Sequence, residues 1–119
     1  MSYYCEIKNI DNEEITIEIE DYEIICFCNI GCDYKVGDKV FCELEFYDDI
    51  EIKESNESKK IERINSSYTY RIIGILDVNE KMIKSNIDFR VEDADIWDVA
   101  YLDNKNVEVV IRRIDIEFI

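Results

Sequence analysis

Four of the five cysteines fall within CFCNIGCDYKVGDKVFC, residues 26–42, and thiolates this close in sequence could hold a metal or cycle through a disulfide. Cys26 and Cys28 stand two apart on what reads as a strand, so their side chains share a face. They could co-ligate a metal, but they could not bridge each other without strain. Cys32 falls in the following loop and Cys42 on the next strand, so Cys26, Cys28, Cys32 and Cys42 form the one conceivable zinc set. Its spacing, C-x-C and C-x(3)-C sharing a middle residue, departs from the paired knuckles of structural zinc sites. The chain has no His to complete a ligand set, and no C-x-x-C opens a helix that would depress a thiol pKa. The expectation is no metal and no cofactor, with reduced thiols packed as small apolar groups.

The absence of His also removes the usual general base, and with it the Ser-His-Asp and Cys-His mechanisms. Among 29 Asp and Glu residues, close carboxylate pairs arise by number alone and do not identify a glycosidase. EDADIWD, Glu92–Asp98, has the acid content of a calcium loop without its glycine or its ligand spacing. Gly37 in VGDKV stands alone where phosphate loops need several glycines. No catalytic residue is assigned, and the chain is expected not to be an enzyme.

A net charge of −15, with 14 Lys and Arg against those 29 acids, disfavours partners bound through their phosphates, so neither nucleic acid nor an anionic membrane is expected. The first residues lack the basic and apolar regions of a secretory signal, and five cysteines suit a reducing compartment, so the expected location is cytoplasmic.

The elements that must position these groups are strands. In EITIEIE, Ile15, Ile17 and Ile19 take one face and Glu14, Thr16, Glu18 and Glu20 the other. SYYCEIKNI before it forms a hairpin partner, and YEIICFCNI, apolar on both faces, reads as a central strand. KVFCELEFY turns Val40, Cys42, Leu44 and Phe46 inward and Glu43 and Glu45 outward. Residues 48–67 are charged and polar and read as a long loop within a single domain spanning 1–119. Beyond it lie SYTYRIIGILDV, with Gly74 read as a bulge, and KMIKSNIDFRV, where Ile83, Ser85, Ile87, Phe89 and Val91 share a face. A short helix is expected near 93–101, anchored by Ile96, Trp97 and Tyr101 and plugging a barrel end. In NVEVVIRRIDIEFI the inward phase flips, and a bulge near Arg112 and Arg113 would restore it. The fold class is all-β, an antiparallel barrel or a sandwich of about seven strands.

YKVGDKVFCELEF, followed by a long polar loop and YTYRIIGIL, is similar to the lead-in to a barrel strand of OB-like small β-barrels, in the style of a small bacterial protein. The resemblance implies a barrel architecture. It carries over no nucleic-acid role, because Glu43 and Glu45 stand where oligonucleotide-binding members present basic and stacking side chains.

Two functional classes follow. The first is a non-catalytic interaction domain that engages a basic protein through Glu14, Glu18, Glu20, Glu43, Glu45, Asp48, Asp49, Glu51 and Glu54, with a toxin-neutralising immunity protein as its most concrete form. Like charges adjacent on a sheet are destabilising, so a binding benefit would account for them. The second is a small-molecule or carbohydrate-binding barrel that uses Tyr3, Tyr4, Tyr68, Tyr70 and Trp97.

Overall fold

Isoleucine at every second position drives β2 (Glu14–Ile19) against the interior. In the computed structural model, which describes all 119 residues, Ile15, Ile17 and Ile19 are buried while Glu14, Thr16 and Glu18 stay at the surface. β1 (Tyr3–Asp11) pairs with it antiparallel through a turn at Asn12, and β3 (Tyr22–Phe27) follows through a tight turn at Glu20 and Asp21. β4 (Lys39–Phe46) closes onto the other edge of β1, with Cys42 and Leu44 buried. The last strand, β11 (Ile114–Phe118), runs antiparallel to β4 and meets β3 in the parallel sense at Asp115 and Phe27. The result is a closed barrel in the order β1-β2-β3-β11-β4.

Everything between β4 and β11 builds a second, six-stranded sheet. Its centre is β7 (Tyr70–Asp77), flanked on one side by β10 (Asn106–Ile111) and then β5 (Ile52–Glu54). The other edge of β7 is shared: β6 (Lys60–Arg63) pairs along Tyr70–Ile73, and β8 (Met82–Lys84) takes over from Ile75, with β9 (Asp88–Arg90) beyond it. α1 (Asp93–Ile96) and a 3-10 helix (Trp97–Leu102) connect β9 to β10. One cluster of 26 buried residues runs from the barrel interior into this sheet, so the two share a core.

The all-β barrel with one short α-helix is as the alternation predicts. The strands number eleven rather than seven, because several expected runs break. The phase flip at Arg112 and Arg113 marks no bulge within one strand: β10 ends in the second sheet, β11 begins in the barrel, and each keeps its own inward face. Gly74 likewise sits in an unbroken strand, paired with Val107. Its role is close approach, since a Cβ there would stand 2.5 Å from the Lys84 carbonyl oxygen where β8 crosses. Ile83, Ser85, Ile87, Phe89 and Val91 are all buried as expected, yet the backbone turns between β8 and β9, with the Ser85 hydroxyl donating to the Ile73 carbonyl at 2.6 Å. Residues 48–67 contain β5 and β6 and so help build the second sheet.

The chain leaves and re-enters the barrel at one neck. The Tyr47 N–H donates to the Arg113 carbonyl at 3.0 Å. The Arg113 guanidinium lies 4.1 Å from the Phe27 ring centroid and 3.8 Å from that of Tyr47, and Asp115 holds it at 2.7 Å. A planar, weakly hydrated cation suits that sandwich.

Candidate functional site

A groove of about 670 Å³ runs between residues 49–54 and the α1/3-10 segment. One wall is the unbroken stretch Asp49–Glu54; the other carries Ala94, Asp95, Asp98, Val99, Tyr101 and Leu102. Ile50, Ile52, Val99 and Leu102 supply apolar surface, and five carboxylates, those of Asp49, Glu51, Glu54, Asp95 and Asp98, face a single lysine, Lys53. That lysine stands 4.0 Å from Glu51, and Lys105 stands 4.0 Å from Glu54; both pairs are well exposed and contribute little. Burial raises the Asp95 carboxyl from its ordinary value, against the opposing pull of the Ile50 and Glu92 backbone.

The segment forming the second wall owes its position to Ile96 and Leu102, both buried. Ile96 anchors it as expected, but Trp97 and Tyr101 do not: they are 82% and 75% exposed. In the 3-10 helix, residues three apart eclipse, and the kink at Val99 lets Leu102 take the inward place. The segment thus lies beside β5 and leaves two aromatic rings in solvent, rather than plugging a barrel end.

The nine carboxylates predicted from sequence divide among three places. Asp49, Glu51 and Glu54 line the groove. Asp48 stands outside it, paired with Arg112 at 2.8 Å, and its carboxyl is lowered first by the Asp49 N–H and then by that guanidinium. The other five belong to the barrel. Glu18 faces Glu6 and Glu23 across β1-β2-β3, with Lys8 3.2 Å from Glu6 and 3.9 Å from Glu18. Glu14 lies beside Tyr68, and Glu20 occupies the β2–β3 turn. Glu43 faces Glu117 and Glu45 faces Asp115 across β4–β11, and of these four only Asp115 has a cation partner. Sequence reasoning misses Asp95, Asp98 and Tyr101 as groove residues: the acids of Glu92–Asp98 fail the spacing of a calcium loop, Tyr101 reads as an anchor, and nothing pairs this segment with β5 some forty residues upstream.

The cysteines do not converge. The Cys28 thiol donates to the Gly31 carbonyl at 2.9 Å, Cys26 reaches the Ile24 carbonyl and Cys32 the Tyr34 carbonyl. The neighbouring Cys5 thiol, together with burial, pushes the Cys42 thiol up; burial dominates at Cys26 and Cys28, raising both. No group of three or more His, Cys, Asp or Glu side chains is placed to hold a metal ion. The candidate aromatics are also dispersed. Tyr3 is buried, donating to the Asp88 carbonyl, and buried Tyr70 accepts the Ile25 N–H at 2.9 Å. Tyr4 packs at a tilt against Phe41 and Tyr68 meets Phe27 edge-on.

Fold and groove together define an acidic, all-β protein: a closed barrel carrying a second sheet whose open edge borders a carboxylate-lined cleft. The chain belongs to the family described as uncharacterised conserved protein UCP019853, whose model matches residues 1–119. No curated protein and no solved structure matches it significantly. No helix is long and apolar enough to cross a membrane.

Proposed function

We propose that this protein is a non-catalytic interaction module that receives a basic segment of a protein partner in the groove between β5 and the α1/3-10 segment. The observation that carries this reading is the composition of that groove: five carboxylates and a single lysine line it together with Ile50, Ile52, Val99 and Leu102, with Tyr101 in its wall and exposed Trp97 next to Asp98 in sequence. Apolar side chains beside uncompensated negative charge suit a partner that brings Lys or Arg together with hydrophobic side chains. An inhibitor of the immunity type, neutralising a basic toxin, is the most concrete version.

Charge distribution supports the same reading. Residues 1–46 and 114–119, which form the barrel, hold fourteen Asp and Glu against three Lys, whereas residues 47–113 hold fifteen against eleven Lys and Arg. A cationic partner would be steered by the barrel and held by the groove. Five strands with one parallel closure and a long excursion before the last support placing the barrel among OB-type folds. Its β2–β3 face nonetheless carries Glu14, Glu18 and Glu23, and Tyr68 and Arg113 lie against Phe27 there, which argues against oligonucleotide binding.

The test uses an arginine-rich peptide and calorimetry. Glu51→Gln combined with Asp98→Asn is expected to weaken binding about tenfold, and raising salt from about 50 to 300 mM is expected to weaken it in the wild type. Glu43→Gln with Glu45→Gln is expected to change affinity about twofold or less at the higher salt. Equal losses from the barrel pair and the groove pair would remove the groove from the proposal.

A further inference from the structure

We infer that the groove's occupant is an extended segment that adds to β5 as a new edge strand, an inference that rests on the functional reading above. β5 pairs with β10 alone, so its outer edge is the open end of the second sheet. The Ser55 N–H donates to the Asn106 carbonyl at 2.9 Å, which fixes the phase of the ladder. By the two-residue alternation of an antiparallel pair, the backbone groups of Lys53 turn toward β10 and those of Ile52 and Glu54 turn away from it. The groove runs along this edge: every residue from Asp49 to Glu54 lines it, as happens when a cleft follows a strand's side rather than one of its faces.

The side-chain rows dictate the incoming sequence. Ile50 and Ile52 alternate with exposed Asp49, Glu51 and Lys53, so a strand laid beside them meets an apolar row on one face and a mainly acidic row on the other. The matching segment alternates hydrophobic and basic residues, its apolar side chains lying over Ile50 and Ile52 and its cations beside Asp49 and Glu51. Asp98 on the far wall adds to the preference for cations, while the Asp95 carboxyl already reaches the Ile50 backbone at the start of this stretch. A second copy of this chain is a poor occupant, since its β5 carries the same carboxylates and each molecule bears a charge of −15.

The probe is a synthetic peptide of alternating arginine and valine, with two further versions N-methylated at complementary alternate residues. All three have the same charge, and calorimetry at about 20 mM salt reads their affinities. Strand addition predicts that the unmodified peptide binds and that one N-methylated version loses about tenfold more affinity than the other, because only one set of amides faces β5. It also predicts that Glu54→Pro, which removes an outward N–H and leaves the β10 ladder intact, binds about tenfold more weakly than Glu54→Gln. Equal binding by all three peptides would overturn strand addition while leaving the acidic-groove reading in place. Absence of binding by all three would overturn both.

Discussion

Arg113 is the charged side chain that ties the neck of the fold together. It sits where the excursion rejoins the barrel, stacked between Phe27 and Tyr47 and tied to Asp115. Two cation–π contacts and lost packing put the cost of Arg113→Ala at about 2 kcal/mol. Arg113→Lys is expected to recover less than half of it, because an ammonium cannot stack between two rings; urea denaturation of both variants measures this. The thiols offer a second test at this scale. Cys5, Cys26, Cys28 and Cys42 are buried and only Cys32 is partly exposed. A colorimetric thiol titration should find one fast-reacting cysteine in the native protein and all five after denaturation. Two or more fast thiols in the native protein would mean that the barrel interior opens.

Among the elements, the β2–β3 hairpin is the one whose turn chemistry disagrees with its geometry. Glu20 and Asp21 both hold positive φ, 49° and 72°, a conformation that costs ordinary side chains about 1 kcal/mol or more each and that Asn-Gly adopts readily. Replacing Glu20-Asp21 with Asn-Gly is expected to raise stability by about 1 kcal/mol, read as a higher urea midpoint at unchanged slope. At this level the sequence is legible wherever one face of a strand is buried and the other wet. β2 and the inward residues of β4 follow directly from alternation. Legibility stops where two elements meet without a local signal. The flip at Arg112 and Arg113 was visible, but a bulge and a passage between two sheets produce the same pattern. Trp97 and Tyr101 look like anchors by size, yet Leu102 displaces them through a 3-10 phase that hydrophobic counting does not register. Three of the groove's five carboxylates could be named from sequence, and the opposite wall could not, since nothing local links residues 49–54 to 94–102.

For the whole molecule, charge sets the stability profile. A net −15 repels itself, so added salt is expected to raise the thermal midpoint at neutral pH. Lowering pH toward the carboxylate range is expected to act in the same direction, because it begins to protonate carboxylates, and Asp95, raised by burial, takes up its proton ahead of an unperturbed Asp. Asp95's carboxyl is raised on folding, so its stabilising contribution is complete at low pH and is lost as pH rises through its folded-state pKa. The opposite sign holds for Asp48, Glu57 and Asp77, which are lowered chiefly by the Asp49 N–H, Arg71 and the Glu80 N–H respectively. Their contribution is present above the unfolded carboxylate range and is lost as pH falls through their folded values, so the midpoint should turn downward below about pH 4. Calorimetric scans across pH check both limbs. A midpoint that climbs steadily with pH from 5 to 8 would contradict the role given to self-repulsion.

An amide chemical-shift map of the labelled protein, titrated with the alternating arginine–valine peptide, locates the surface that takes the cations. Groove binding predicts that the largest shifts fall on residues 49–54 and 94–102, with the Trp97 indole N–H among them and the barrel amides little changed. Shifts centred instead on Glu43, Glu45 and Glu117 would contradict it and place the cation-binding surface on the barrel wall.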